Sequence, residues 1–375
     1  FATATFVAVV KGWDRRRIAW FAMAGLMAGL AGASKPNYLI ALGFFALPVL
    51  ETVRLHGIDG LFPTGRRKLF PVVPAVLVGG LVAFWTFRIG QPYAFAGPHF
   101  WNVGLNRQWV DDLSYWSTAQ SGLIDIKSSV QWVGRTPVAY IVQTMIAWGM
   151  GPPLGIASLA ALALGTWRVL RSRRWPSWWF LGMLGWSLAQ LLLYGTNIAQ
   201  AQRYLLPIYP FLIAMAAGLL VEVAGRLGRT RSYAKYDASR HVSDTWSETT
   251  KRVNLGTVLI AATMLYTAVY GVAFDTLYVR PLSRIQASEW IYENIPPGST
   301  LTHEYWDDAL PIALEGEDAW AYDIITLDLY GYEGPDSTKL SRIIGQMNAA
   351  DYIILSSNRI IGSVPRQPER YPVAT

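Results

Sequence analysis

The 375-residue sequence predicts a polytopic membrane helix bundle followed by a small α/β domain. Three observations predict it. Hydrophobic residues make up 52% of the chain and charged residues 15%, where an ordinary soluble domain carries roughly a quarter. Apolar runs recur at the length that crosses a bilayer, about 20 residues at about 1.5 Å each. Charge is split along the chain: residues 1–274 hold 25 basic and 10 acidic side chains, and residues 275–375 hold 7 basic and 15 acidic. With 17 Trp and 19 Tyr, this composition excludes a disordered chain and argues against a soluble enzyme. The absence of Cys excludes disulfides, thiolate metal sites and a Cys nucleophile.

Residues 1–10 (FATATFVAVV) read as the end of a span cut at its start, so the chain is expected to lack its true N-terminus. Seven full spans follow: Ile18–Ser34, Tyr38–Val53, Leu69–Phe87, Pro153–Trp167, Trp178–Tyr194, Tyr204–Val223 and Leu255–Phe274. Basic clusters fall in every second loop, around Arg15–Arg17, Arg66–Lys68, Arg168–Arg174 and through 225–254. Basic loops stay cytoplasmic. Segments 35–37, 88–152, 195–203 and the acidic tail are therefore expected outside a multi-pass protein of the plasma membrane. The expected division is a bundle at 1–274, with a large outer loop at 88–152, and an extracytoplasmic domain at 275–375.

The outer loop is rich in Trp, which favours the membrane interface. Amphipathic helices are expected there, either as passive anchors or as a lid carrying His99, Trp101, Trp109 and Arg135. Asp111 and Asp112 are adjacent, so on a helix they point about 100° apart and cannot readily aim at one atom. Solvation is their plainer reading, with a general base as the sharper one. No zinc spacing, nucleophile elbow, phosphate loop or dinucleotide motif occurs. No metal site is assigned and no cofactor is required.

Two cations sit at the expected outer boundary. Lys35 lies in GASKPN between two spans, and Arg203 lies in AQAQRYLLPIYP just before another. A boundary charge snorkels to head groups or has a partner. For Arg203, whose guanidinium can grip two phosphate oxygens, a lipid-phosphate ligand is the stronger expectation. In the tail, helices are expected at 283–294 and 339–348. Strands are expected at 299–303 and 324–329, with a buried one at 351–356 (DYIILS). HEYWDD at 303–308 gathers a His and three carboxylates, either a solvated loop or a sugar or metal site.

GLMAGLAGASKPNYLIAL and QRYLLPIYPFLIAMAAGLL resemble segments of glycosyltransferase family 39, the dolichyl-phosphate-mannose-protein mannosyltransferase-like membrane proteins of the GT-C fold. ASEWIYENIPPGSTLTHEYWDD and ADYIILSSNRIIGSVPRQPERYP resemble the outer C-terminal part of bacterial members. The resemblance implies a GT-C-like fold. It also implies inverting transfer of a hexose or related sugar from a polyprenyl-phosphate carrier to a lipid, glycan or protein acceptor on the outer face. It matches Arg203 and Tyr204 to the segment near the carrier phosphate, Lys35 to the outer hairpin, and 88–152 to the loop over the cavity. The family's catalytic Asp belongs to the first outer loop, expected before Phe1, which leaves Asp111 and Asp112 as weak substitutes. Membrane lipids are implied partners and nucleic acid is not. A lipid-linked glycan flippase and a non-catalytic membrane scaffold are the alternatives.

Overall fold

The computed structural model describes residues 1–62, 69–97, 99–123, 127–172, 176–228, 255–305, 308–330, 337–369 and 371. The chain is mostly helical, with one small sheet near its C-terminus. Its N-terminal helices are α1 (Ala2–Arg15), α2 (Ile18–Ser34), α3 (Ala46–His56) and α4 (Val72–Gly90). Then come α5 (Arg107–Gln120), α6 (Ala139–Thr144), α7 (Pro152–Arg171) and α8 (Trp178–Thr196). The rest are α9 (Tyr209–Gly228), α10 (Leu255–Val279), α11 (Ser283–Asn294) and α12 (Ser337–Asn348).

Among the described residues five helical segments are long and apolar enough to cross a membrane: Pro36–His56, Val72–Gly90, Pro152–Arg171, Gln202–Leu227 and Leu255–Asn294. They coincide with five of the seven spans expected. Ile18–Ser34 is apolar but has only 17 residues. Trp178–Thr196 has 19 residues and is rich in Trp, with Ser187 and Gln190 among its buried side chains, and it is not one of the five. The longest segment runs on into the polar helix α11, so its crossing part is α10, about 37 Å long for 25 residues.

Two spans open in tight 3₁₀ turns, at Pro36–Phe45 before α3 and at Gln202–Ile208 before α9. A proline explains each. Pro36 fixes φ at the first turn, and Pro207 removes an amide donor from inside the second.

The chain divides into two compact units. The first comprises residues 1–116, 141–195 and 201–267, and the second 117–140, 196–200 and 268–375. This division is discontinuous in sequence. In the first unit, α2 and α4 cross with almost no side chain between them. A Cβ on Gly25 would stand 2.1 Å from the Gly79 carbonyl oxygen, and one on Gly29 would stand 2.6 Å from that of Ala83. Spacing Gly25 and Gly29 four residues apart presents a bare stripe, the small-residue pattern that lets membrane helices approach closely. Around this crossing, Phe6 meets Phe44 and Phe211 edge-on at 5.1 and 5.2 Å, and Phe44 meets Trp186 at 4.9 Å.

In the second unit, β1 (Thr300–Glu304) is central, paired in parallel with β2 (Asp323–Leu327) and β3 (Tyr352–Ile353). Leu301 faces Ile324 on one side and Tyr352 on the other. Ile291, Ile295, Leu301, Leu310 and Tyr322 form the core under the sheet. β3 departs from expectation: it is a two-residue edge strand, with Tyr352 and Ile353 both exposed. Only one neighbour pairs with it, so its apolar side chains remain partly uncovered. A second cluster joins Val130 to Tyr330, Ile360, Val364 and Tyr371. Gln367 Nε2 donates to the Val130 carbonyl at 3.2 Å, and the Ile198 amide donates to Gln120 O at 2.9 Å. Segments far apart in sequence thus close into one body.

Candidate functional site

The first unit gathers the two boundary cations on one tyrosine ring. Lys35 follows the end of α2, in extended backbone, just before the turn that starts at Pro36. Its Nζ lies 4.0 Å from the centre of the Tyr204 ring, 5.3 Å from that of Tyr194 and 5.6 Å from that of Tyr38. Tyr194 and Tyr204 stack at 5.2 Å and 29°. Arg203 approaches the same Tyr204 ring with its Cζ at 5.5 Å. The negative faces of the rings hold the cations.

Local sequence explains each placement. The 3₁₀ turn after Pro36 puts Tyr38 three residues from Lys35, where side chains eclipse. Tyr194 sits near the C-terminal end of α8 and is 1% exposed. The 3₁₀ turn before α9 carries Arg203 and Tyr204 side by side. It is held by a hydrogen bond from Gln202 Nε2 to Tyr209 Oη of 3.1 Å. Gly149 leaves room for that bond, because a Cβ there would push on both the Gln202 amide and the Tyr209 hydroxyl.

Lys35 is half-buried and Arg203 is exposed. Burial holds the Lys35 ammonium below its ordinary pKa. Tyr204 offsets part of this, and the neighbouring charge of Arg203 adds to it. Neither cation has a carboxylate within ion-pair distance among the described residues. Two close positive charges without a counter-charge make a site for an anion.

Below this cluster, α8 carries Ser187, Gln190 and Tyr194 on one face, all buried. The Ser187 hydroxyl and both ends of the Gln190 amide have no hydrogen-bond partner among the described residues. Beside α8 an apolar groove of about 230 Å³ runs along the outside, lined by Ile40, Gly43, Phe44, Leu47, Gly185 and Trp186 among others.

The other sequence candidates do not join this cluster. Asp111 and Asp112 are exposed on α5. His99 and Trp101 are exposed, and Trp109 is half-buried against Phe87 at 6.2 Å. What ties this part of the loop down is Arg88, which sequence reasoning passed over. Its side chain is 5% exposed, donates to the His99 carbonyl at 3.1 Å, and lies over Phe95 at 4.7 Å. Arg135, in the second unit, stacks on Tyr140 at 4.5 Å.

Of HEYWDD, Trp306 and Asp307 lie outside the described residues. His303 Nε2 pairs with the Thr326 hydroxyl at 2.9 Å, and Asp308 pairs with Arg284 at 3.0 Å. Among the described residues no three His, Asp or Glu side chains come together as metal ligands would. Tyr38 and Tyr194 were also missed in the sequence, although each is a tyrosine at the end of an apolar run beside a named residue or turn.

Comparison of the chain with family profiles, curated proteins and solved structures finds no significant match.

Proposed function

We propose that this protein is a membrane glycosyltransferase that takes a sugar from a polyprenyl-phosphate carrier, in the manner of glycosyltransferase family 39. One observation carries the reading. Lys35 and Arg203 meet on the Tyr204 ring with no carboxylate partner among the described residues, at the ends of apolar helices. A lipid phosphate supplies the missing negative charge. The adjacent apolar groove offers room for the first part of its chain.

The chemistry follows from that placement. The bond between the sugar's anomeric carbon and the phosphate oxygen breaks as the acceptor oxygen bonds to the opposite face of that carbon, which inverts it. The acceptor proton passes to a base, and the electron pair of the broken bond stays on the phosphate. Lys35 and Arg203 stabilise the charge that grows there, which lowers the barrier more than it strengthens ground-state binding. The Tyr204 and Tyr194 rings hold the ammonium in position. Asp111 and Asp112, exposed on α5, are given no part in this step. The acceptor is a lipid, glycan or protein outside the plasma membrane. The side rests on the basic loops of the sequence and gains support from 117–140, 196–200 and 268–375 closing into one body.

The test reconstitutes the chain in nanodiscs and measures binding of a polyprenyl phosphate, followed by sugar transfer from its glycosylated form. Saturable binding that weakens in Lys35→Gln and Arg203→Ala supports the reading. Binding that ignores both substitutions overturns it. Movement of a lipid-linked glycan across the membrane without sugar transfer would favour a flippase.

A further inference from the structure

The first unit holds a second cavity, at the other end of its helices. It has a volume of about 260 Å³ and lies between α7, α8 and α9. Its walls are Ala161, Leu164, Phe180, Met183, Ala214 and Leu219. Gly218 leaves one wall bare, because nothing lies within 4 Å of where its Cβ would stand. Arg168 and Glu222 close the mouth. Glu222 takes two bonds of 2.8 Å from Arg168 and one of 2.5 Å from Arg226. One carboxylate thus serves two guanidinium groups, and both arginines remain exposed. One turn past Arg168, Arg171 lies 4.0 Å over the Trp167 ring, outside the cavity lining. Among the described residues, two guanidinium groups against one carboxylate leave the mouth net positive over an apolar hole. Along α8, Met183 lies about 16 Å from Tyr194, so this cavity is separate from the Lys35 cluster.

We propose that this cavity binds an anionic phospholipid, with one acyl chain between α7, α8 and α9 and its phosphate against Arg168 and Arg226. The charge of the mouth selects the head group. A zwitterionic lipid brings its own cation to a site that already has an excess of them. The volume suits part of one chain rather than a whole lipid. Basic pockets between membrane helices commonly recognise such head groups. The site does not depend on the sugar-transfer reading.

The test uses the full chain in detergent and native mass spectrometry with phosphatidylglycerol or phosphatidylcholine as probe. Phosphatidylglycerol is expected to stay bound at least tenfold better than phosphatidylcholine, and less well as salt rises. Gly218→Phe fills the hole and should lower its retention about tenfold, whereas Gly218→Ala should keep most of it. Arg226→Gln removes an exposed guanidinium and its bond to Glu222, while Arg168 keeps its two, and should cost about fivefold, so it tests the site even if Gly218→Phe fails to fold. Equal retention of the two lipids, or retention unchanged in Arg226→Gln, overturns the proposal.

Discussion

Exposure decides which of the two boundary cations matters more for binding a phosphate. A unit charge about 4 Å from a phosphate oxygen gains about 4 kcal/mol at an effective dielectric constant of about 20. Full exposure cuts such a contact to about 0.2–1 kcal/mol. Arg203 is exposed, so Arg203→Ala should cost about 1 kcal/mol, or about fivefold in affinity. Lys35 is half-buried and has already lost part of its hydration, so its contact is screened less. Lys35→Gln should cost about 2 kcal/mol, or about thirtyfold. The assay is equilibrium binding of a short-chain prenyl phosphate to the purified chain, monitored by thermophoresis at fixed salt. The double variant should show coupling, because the two cations share one ring and one ligand. A larger loss in Arg203→Ala than in Lys35→Gln would refute the argument from burial. Strict additivity would refute the shared ligand.

Binding should also depend on pH. It needs Lys35 charged, so it should be full at lower pH and fall as pH rises through the lowered Lys35 pKa. Arg203→Ala removes a like charge and should move that fall to higher pH in a binding profile. At the α2–α4 crossing, Gly25→Ala drives a methyl into the Gly79 carbonyl and should cost about 1–3 kcal/mol or more in thermal unfolding in detergent. Gly80→Ala, with open space around it, should be nearly neutral in the same melt. In the second unit Leu301 is fully buried on the central strand, and Leu301→Ala should cost about 2–5 kcal/mol. Faster hydrogen exchange at 300–304 would register it.

The spans were legible because length and apolarity are local properties, and Val72–Gly90 and Pro152–Arg171 differ little from their expected bounds. Trp178–Thr196 shows the limit. Its buried face carries Ser187 and Gln190 while Trp179, Leu192 and Leu193 are exposed, and a ring-rich run does not reveal that split because Trp suits both settings. Lys35, Arg203 and Tyr204 stood out as polar residues beside apolar runs. Their meeting on one ring depends on two proline-containing turns folding toward each other, which no single segment encodes. Tyr38 and Tyr194 stayed hidden for the same reason. In the tail, alternation located β1 and β2 within a residue or two. DYIILS read as a buried strand because its apolar run is continuous, yet it forms an edge with a single neighbour.

The discontinuous second unit has a consequence for biosynthesis. Val130 leaves the ribosome long before Tyr371, the residue it packs near, and the helices between them must be inserted in the meantime. At about 5–20 residues per second, the gap lasts on the order of tens of seconds. Until Tyr330 is made the apolar face around Val130 has none of its buried cluster partners, and the set is complete only with Tyr371. The nascent chain therefore presents a sticky surface that a chaperone on that side of the membrane could shelter. Stalling translation anywhere between the two segments should leave residues 117–140 open to protease, and release of the full chain should protect them.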